Sequence, residues 1–122
     1  MSASDFTQLK IWQRSIQLVR KIYKFTKDFP KEELYGLSSQ LRRAAVSIPS
    51  NIAEGSQRHS QKDFANFIGI SKGSLAELET QCIIAQELGY AKSETIVGLR
   101  KEIQEISKML YSFRSKLITH TS

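Results

Sequence analysis

Few side chains in this 122-residue chain are of the types that catalyse reactions or hold metals. Its two histidines fall in a predicted turn (His59) and in the C-terminal tail (His120), and neither has a metal-ligand neighbour at helical spacing. The single cysteine, Cys82, excludes an internal disulfide and a cysteine-built zinc cluster. It sits on an apolar helical stripe, which predicts a buried structural thiol. Glu77 and Glu79 are only two apart, so on a helix they point in different directions and cannot act as a carboxylate pair. No Glu-x-x-His pair of the carboxylate-bridged metal bundles occurs. The glycines lie inside or at the ends of predicted helices, so none forms a phosphate-cradling loop. These absences predict a protein that is not an enzyme, with no cofactor, metal or small-molecule substrate.

Binding chemistry has more to work with. The net charge is +6, and residues 1–60 hold ten Lys/Arg against five Asp/Glu, whereas residues 61–122 hold eight against seven. The excess collects on one helix: Lys10, Arg14, Arg20, Lys21 and Lys24 share an arc with Gln13 and Gln17, and Lys27 lies at its margin. No acid occurs between Phe6 and Lys27. A solvated helix face usually mixes signs to gain pairs four residues apart, so an all-basic arc predicts contact with phosphates of RNA or DNA. A merely soluble face is the competing reading.

The elements that must carry this arc are four helices. Apolar spacing and cap signals place them at about residues 8–28, 31–54, 61–88 and 94–118, with no strand pattern and no internal repeat. Helix one is predicted to be capped by Thr7, with Phe6 and Ile11 as a hydrophobic staple. Pro30 starts the second helix, and Glu32 and Glu33 suit its positive end. Helix two carries Leu34, Leu37, Leu41, Ala44, Ile48 and Ile52, a spacing that passes through Pro49 without losing phase. SIPSNIAEG is therefore read as a helix kinked at Pro49, with Ser47 or Ser50 relieving freed backbone groups and Gly55 as terminator. Ser60 and Asp63 form a capping-box-like pair for helix three, whose stripe is Phe64, Phe67, Ser71, Leu75, Leu78, Cys82 and Ala85. Leu88-Gly89-Tyr90 closes it as a Schellman turn. Helix four shows 3–4 alternation through Leu99, Ile103, Ile106, Leu110, Phe113 and Leu117, followed by a fraying tail. Short connections predict one domain, an all-α, antiparallel, up-down-up-down four-helix bundle. No apolar run reaches membrane-spanning length and the N-terminus lacks a hydrophobic signal core, so the chain is expected in the cytoplasm, away from membranes.

Two features exceed a simple bundle. Helix one has two apolar stripes, one of Leu9, Trp12, Ile16, Val19 and Tyr23 and another of Ile11, Leu18, Ile22, Phe25 and Phe29. One stripe fills the core; deep burial would account for both, but the second is assigned to contacts between copies in an oligomer. In helix three, Gly69 and Gly73 predict close approach of another helix, with Glu77 one turn further on. Asn51 and Glu54 are expected to join Glu77 in a polar layer.

The stretches RRAAVSIPSNIAEG and GSLAELETQ, with FTQLKIWQRS before them, resemble the bacterial 23S rRNA intervening-sequence proteins, S23-like four-helix bundles, over nearly the whole chain. The fold they imply is also similar to that of the accessory protein of diversity-generating retroelements. The resemblance implies a bundle that assembles into a ring, a homopentamer, and engagement of nucleic acid. Its motif residues fall here on Arg42, Arg43, Pro49, Asn51, Glu54, Gly55, Gly73, Glu77, Glu79 and Gln81, in structural or oligomeric roles. The resulting expectation is a non-enzymatic oligomer that binds RNA or DNA through helix one. The alternatives are an interaction scaffold or a helper of a partner protein without nucleic-acid binding. A helix-turn-helix reader is disfavoured by the helix lengths.

Overall fold

The computed structural model describes residues 5–119 and contains four α-helices and no strand among them. They are α1 (Lys10–Thr26), α2 (Leu37–Ser56), α3 (Gln61–Glu87) and α4 (Ser93–Thr119), with short 3-10 turns at Phe6–Gln8 and Lys31–Glu33. His120 and the tail after it lie outside the described residues.

The helices form a four-helix bundle around a continuous core. Leu18 and Ile22 of α1 meet Leu41, Ile48 and Ile52 of α2, Ile68, Leu75 and Leu78 of α3, and Ile103, Ile106 and Leu110 of α4, all essentially without exposure. Residue pairings show how neighbours run. Gly55 of α2 faces Phe64 and Phe67 of α3, whereas Ser47 faces Ser74, so numbers rise along one helix as they fall along the other. Phe64 likewise meets Phe113 of α4, and Glu79 meets Arg100. α1 leans mainly on α2 and more lightly on α4.

Several boundaries differ from expectation. Thr7 sits in the first 3-10 turn with its hydroxyl on Asp5 Oδ1, at 2.6 Å, and α1 begins after Leu9 with no side-chain cap. Phe6 packs edge-on against Trp12 instead of stapling to Ile11. Leu34 precedes α2 and is exposed, because the chain makes a separate turn after Pro30. Glu33 does serve α2: its carboxylate accepts the Leu37 N–H at 3.0 Å and the Tyr90 hydroxyl at 2.8 Å. Both bonds hold the Glu33 carboxyl below the usual carboxylate range, and the same contact raises the Tyr90 phenol.

α2 is continuous through Pro49, which is buried. A proline here forgoes the hydrogen bond to the Ala45 carbonyl and costs ~3 kcal/mol in an ideal helix. The two carbonyls before it gain side-chain donors: Asn51 Nδ2 to Ser47 O at 2.8 Å and Ser71 Oγ to Ile48 O at 2.9 Å. Ser47 does not turn its hydroxyl back on the helix as expected; it meets Ser74 Oγ at 2.9 Å. Gly55 is not a terminator either. The helix continues to Ser56, and Gly55 is buried where an added Cβ would lie 2.6 Å from Phe67 Cβ and 2.9 Å from Phe64 Cδ1.

That contact, not the Gly69–Gly73 strip, is the close helix crossing. Gly73 has nothing within 4 Å of a hypothetical Cβ, and Gly69 only Arg114 Nε at 3.6 Å. The polar layer also has other members. Asn51 joins Ser47 and Ser74, Glu54 pairs with Arg58 at 2.6 Å, and Glu77 faces solvent. The caps of α3 agree with the sequence. Ser60 Oγ accepts the Asp63 N–H at 3.0 Å, and Gly89, with φ +81°, ends the helix with Tyr90 N–H on Ala85 O at 2.9 Å.

The apolar stripe assigned to oligomer contacts is the core itself. Ile11, Leu18, Ile22 and Phe29 are buried, and Phe25 packs against them. This flank faces the other helices because Ser15 and Thr26 complete it. Both are buried and return their hydroxyls to the helix backbone, on Trp12 O at 2.7 Å and Ile22 O at 2.9 Å.

Candidate nucleic-acid interface

α1 presents its cations as a band between two seams. On the α4 side, Arg14 pairs with Glu105 at 3.2 Å and approaches Met109 Sδ, and Lys21 pairs with Glu102. Glu102 is nearly buried, so Lys21 balances a carboxylate that packing has removed from water. These two cations are thus partly neutralised. Lys10, Arg20, Lys24 and Lys27 are exposed, with no carboxylate in ion-pair reach among the described residues. Arg20 and Lys27 neighbour Tyr23, which meets Arg42 of α2, whereas Lys24 lines a groove with Glu94 and Glu102 of α4.

On the α2 side the band meets a groove of about 660 Å³ lined by Tyr23, Leu34, Tyr35, Ser39, Arg42, Arg43, Val46 and Ser47. Arg42 is held firmly. Its Nε donates to the buried Thr26 hydroxyl at 2.8 Å, and its guanidinium lies 4.6 Å from the centre of the Tyr23 ring. Arg43 is exposed, and Tyr35 is 93% exposed. Nothing in the residue pattern announces this groove, because Tyr23 reads as one more member of an apolar stripe. The neutralising acids did leave a signal. Glu102, Glu105 and Met109 repeat at three and four along α4, matching Arg14 and Lys21 seven apart on α1.

Most of the remaining motif residues pack or pair within the bundle, whereas Gly73 and Glu77 face open space. Pro49 and Gly55 are buried in α2, and Asn51 ties Ser47. Glu79 accepts from Arg100 and Gln104, each at 3.0 Å, joining α3 to α4. Gln81 is buried, with its Oε1 lacking a partner among the described residues. Cys82 is wholly buried, and burial pushes its thiol up to about 12. No three His, Cys, Asp or Glu side chains converge to hold a metal, and no helix is long and apolar enough to cross a membrane, among the described residues.

Architecture and surface together define an all-α bundle with one cationic helix face. The chain belongs to the family described as the 23S rRNA-intervening sequence proteins, whose model matches residues 7–112. It is also similar to a crystallised protein of unknown function from the S23 ribosomal protein family of Bacteroides thetaiotaomicron. That structure has 26% sequence identity and a TM-score of 0.76, and the match covers 85% of this chain and 97% of that one. Comparison with curated proteins returned no match.

Proposed function

We propose that this protein is a non-enzymatic, self-associating bundle that binds the phosphate backbone of RNA or DNA in the cytoplasm through α1. The observation that carries this reading is the set Lys10, Arg20, Lys24 and Lys27, exposed and without acidic partners among the described residues. Cations that no carboxylate compensates release counterions when phosphates replace their salt atmosphere, which favours binding. The family's description, which names an insertion in ribosomal RNA, is consistent with such a ligand.

An assembly without nucleic acid is the second reading, favoured by the outer face of α3. Ile70 and Ile84 are exposed along it, with Leu88 just past its end and the bare Gly73 one turn from Ile70, and exposed apolar side chains along one face mark contact surfaces. This face replaces the buried α1 stripe as the contact between copies, in a ring that the family resemblance puts at five.

Fluorescence anisotropy with RNA and DNA probes over a salt series separates the two readings. The comparison variant is Arg20→Glu/Lys24→Glu/Lys27→Glu, chosen because none of the three carries an ion pair among the described residues. Salt-sensitive binding at micromolar or lower concentration, lost in the variant, supports the phosphate-binding role. An absence of binding at low salt, with the assembly intact by sedimentation, leaves the scaffold role.

A further inference from the structure

Two of the free cations of α1, Arg20 and Lys27, border the aromatic groove between α1 and α2. Arg20 and Lys27 lie three residues before and four after Tyr23, so both neighbour it on the helix surface. Across the groove, Arg42 covers one face of the Tyr23 ring, and Arg43 and Tyr35 stand at its rim. A tyrosine ring 93% exposed has almost no partner within its own chain.

We infer that this groove binds an unpaired nucleic-acid strand, whose phosphates follow Lys27, Arg20 and Arg43 while a base stacks on Tyr35. The inference rests on the phosphate-binding reading and specifies its ligand. Charge complementarity selects a polyanion, because Arg42 and Arg43 line the groove, Arg20 and Lys27 neighbour it on α1, and no carboxylate lines it among the described residues. The rings then select among polyanions. A duplex keeps its base faces stacked internally and offers phosphates alone, whereas a single strand offers a ring face at every nucleotide. Arg42 has a positioning role: its bond to Thr26 fixes the guanidinium plane over Tyr23 and keeps the groove floor rigid.

The test compares a short unstructured RNA, DNA of the same sequence, and the RNA annealed to its complement, using the full chain. The unpaired strands are expected to bind more tightly than the duplex. Tyr35→Ala should weaken them about tenfold without changing the salt slope, since no charge is lost. Tyr35→Trp should restore affinity, and Arg43→Gln should lower the slope. RNA and DNA arms that agree support stacking on either strand, and a gap between them that persists in Tyr35→Ala assigns the difference to the sugar, outside the stacking site. Equal binding of duplex and single strand, unaffected by Tyr35→Ala, overturns the inference and leaves the cationic band of α1 standing. Binding of no probe overturns both. If Tyr35→Ala instead changes the sedimenting mass of the free protein, the groove is a contact between copies and the inference fails.

Discussion

Gly55 and Gly73 show how differently one residue type can be used. At Gly55 the missing side chain lets α3 press Phe64 and Phe67 onto α2, while at Gly73 it meets open space. Gly55→Ala is therefore expected to cost about 1–3 kcal/mol through overpacking. Gly73→Ala should add up to ~1 kcal/mol by favouring the helix. Urea denaturation of the two single variants checks both signs. The sequence reads Gly55 as a helix terminator and Gly73 as a point of close helix approach, and neither reading matches the structure. Whether a Cβ would collide depends on a second helix, which spacing along the chain does not report. Gly89 was legible because its role is local: a left-handed residue closing a turn with its own neighbours.

Among elements, the turn before α2 and the corner between α3 and α4 are joined by the Glu33–Tyr90 contact, with Phe29 against the Tyr90 ring at 5.4 Å. A carboxyl held below its usual range stabilises the fold above the unfolded carboxyl's pKa, and that stability is lost as pH falls through the folded value. A phenol held above its usual range contributes below the unfolded phenol's pKa, and that stability is lost as pH rises through the folded value. Tyr90→Phe should move the Glu33 titration back towards the ordinary carboxylate range, and Glu33→Gln should flatten the acid side of stability. Carboxyl NMR and denaturation across pH read these out. The seam between α1 and α4 makes a separate prediction. Lys21→Glu would face the nearly buried Glu102 and should cost about 1–2 kcal/mol, whereas Lys24→Glu should change stability by less than ~0.5 kcal/mol. Helix existence and phase were legible from apolar period, even through Pro49. Which flank of α1 faces inward was not, because Ser15 and Thr26 interrupt that flank with polar letters while packing as small buried groups.

For the whole molecule, the excess charge was legible as a count, but its useful part was not. Arg14 and Lys21 are spoken for by α4, and of the remainder Arg20 and Lys27 border a groove assembled from two helices. Removing Lys24 and Lys27 should reduce the slope of log affinity against log salt by about 0.7 for each single-strand phosphate no longer neutralised. The light seam between α1 and α4 has a consequence for how the bundle forms. Among the described residues, every strong interface joins helices that follow one another in the chain, and the α1–α4 seam joins the first helix to the last. Such local wiring favours rapid folding. The α2–α3 hairpin, with its close crossing at Gly55, is the natural nucleus, and the α1–α4 seam closes late. Disrupting the Phe67 packing should then slow folding, while breaking Lys21–Glu102 should chiefly hasten unfolding. Stopped-flow kinetics on Phe67→Ala and Lys21→Ala would show the bundle shutting like a cover around a hinge already made.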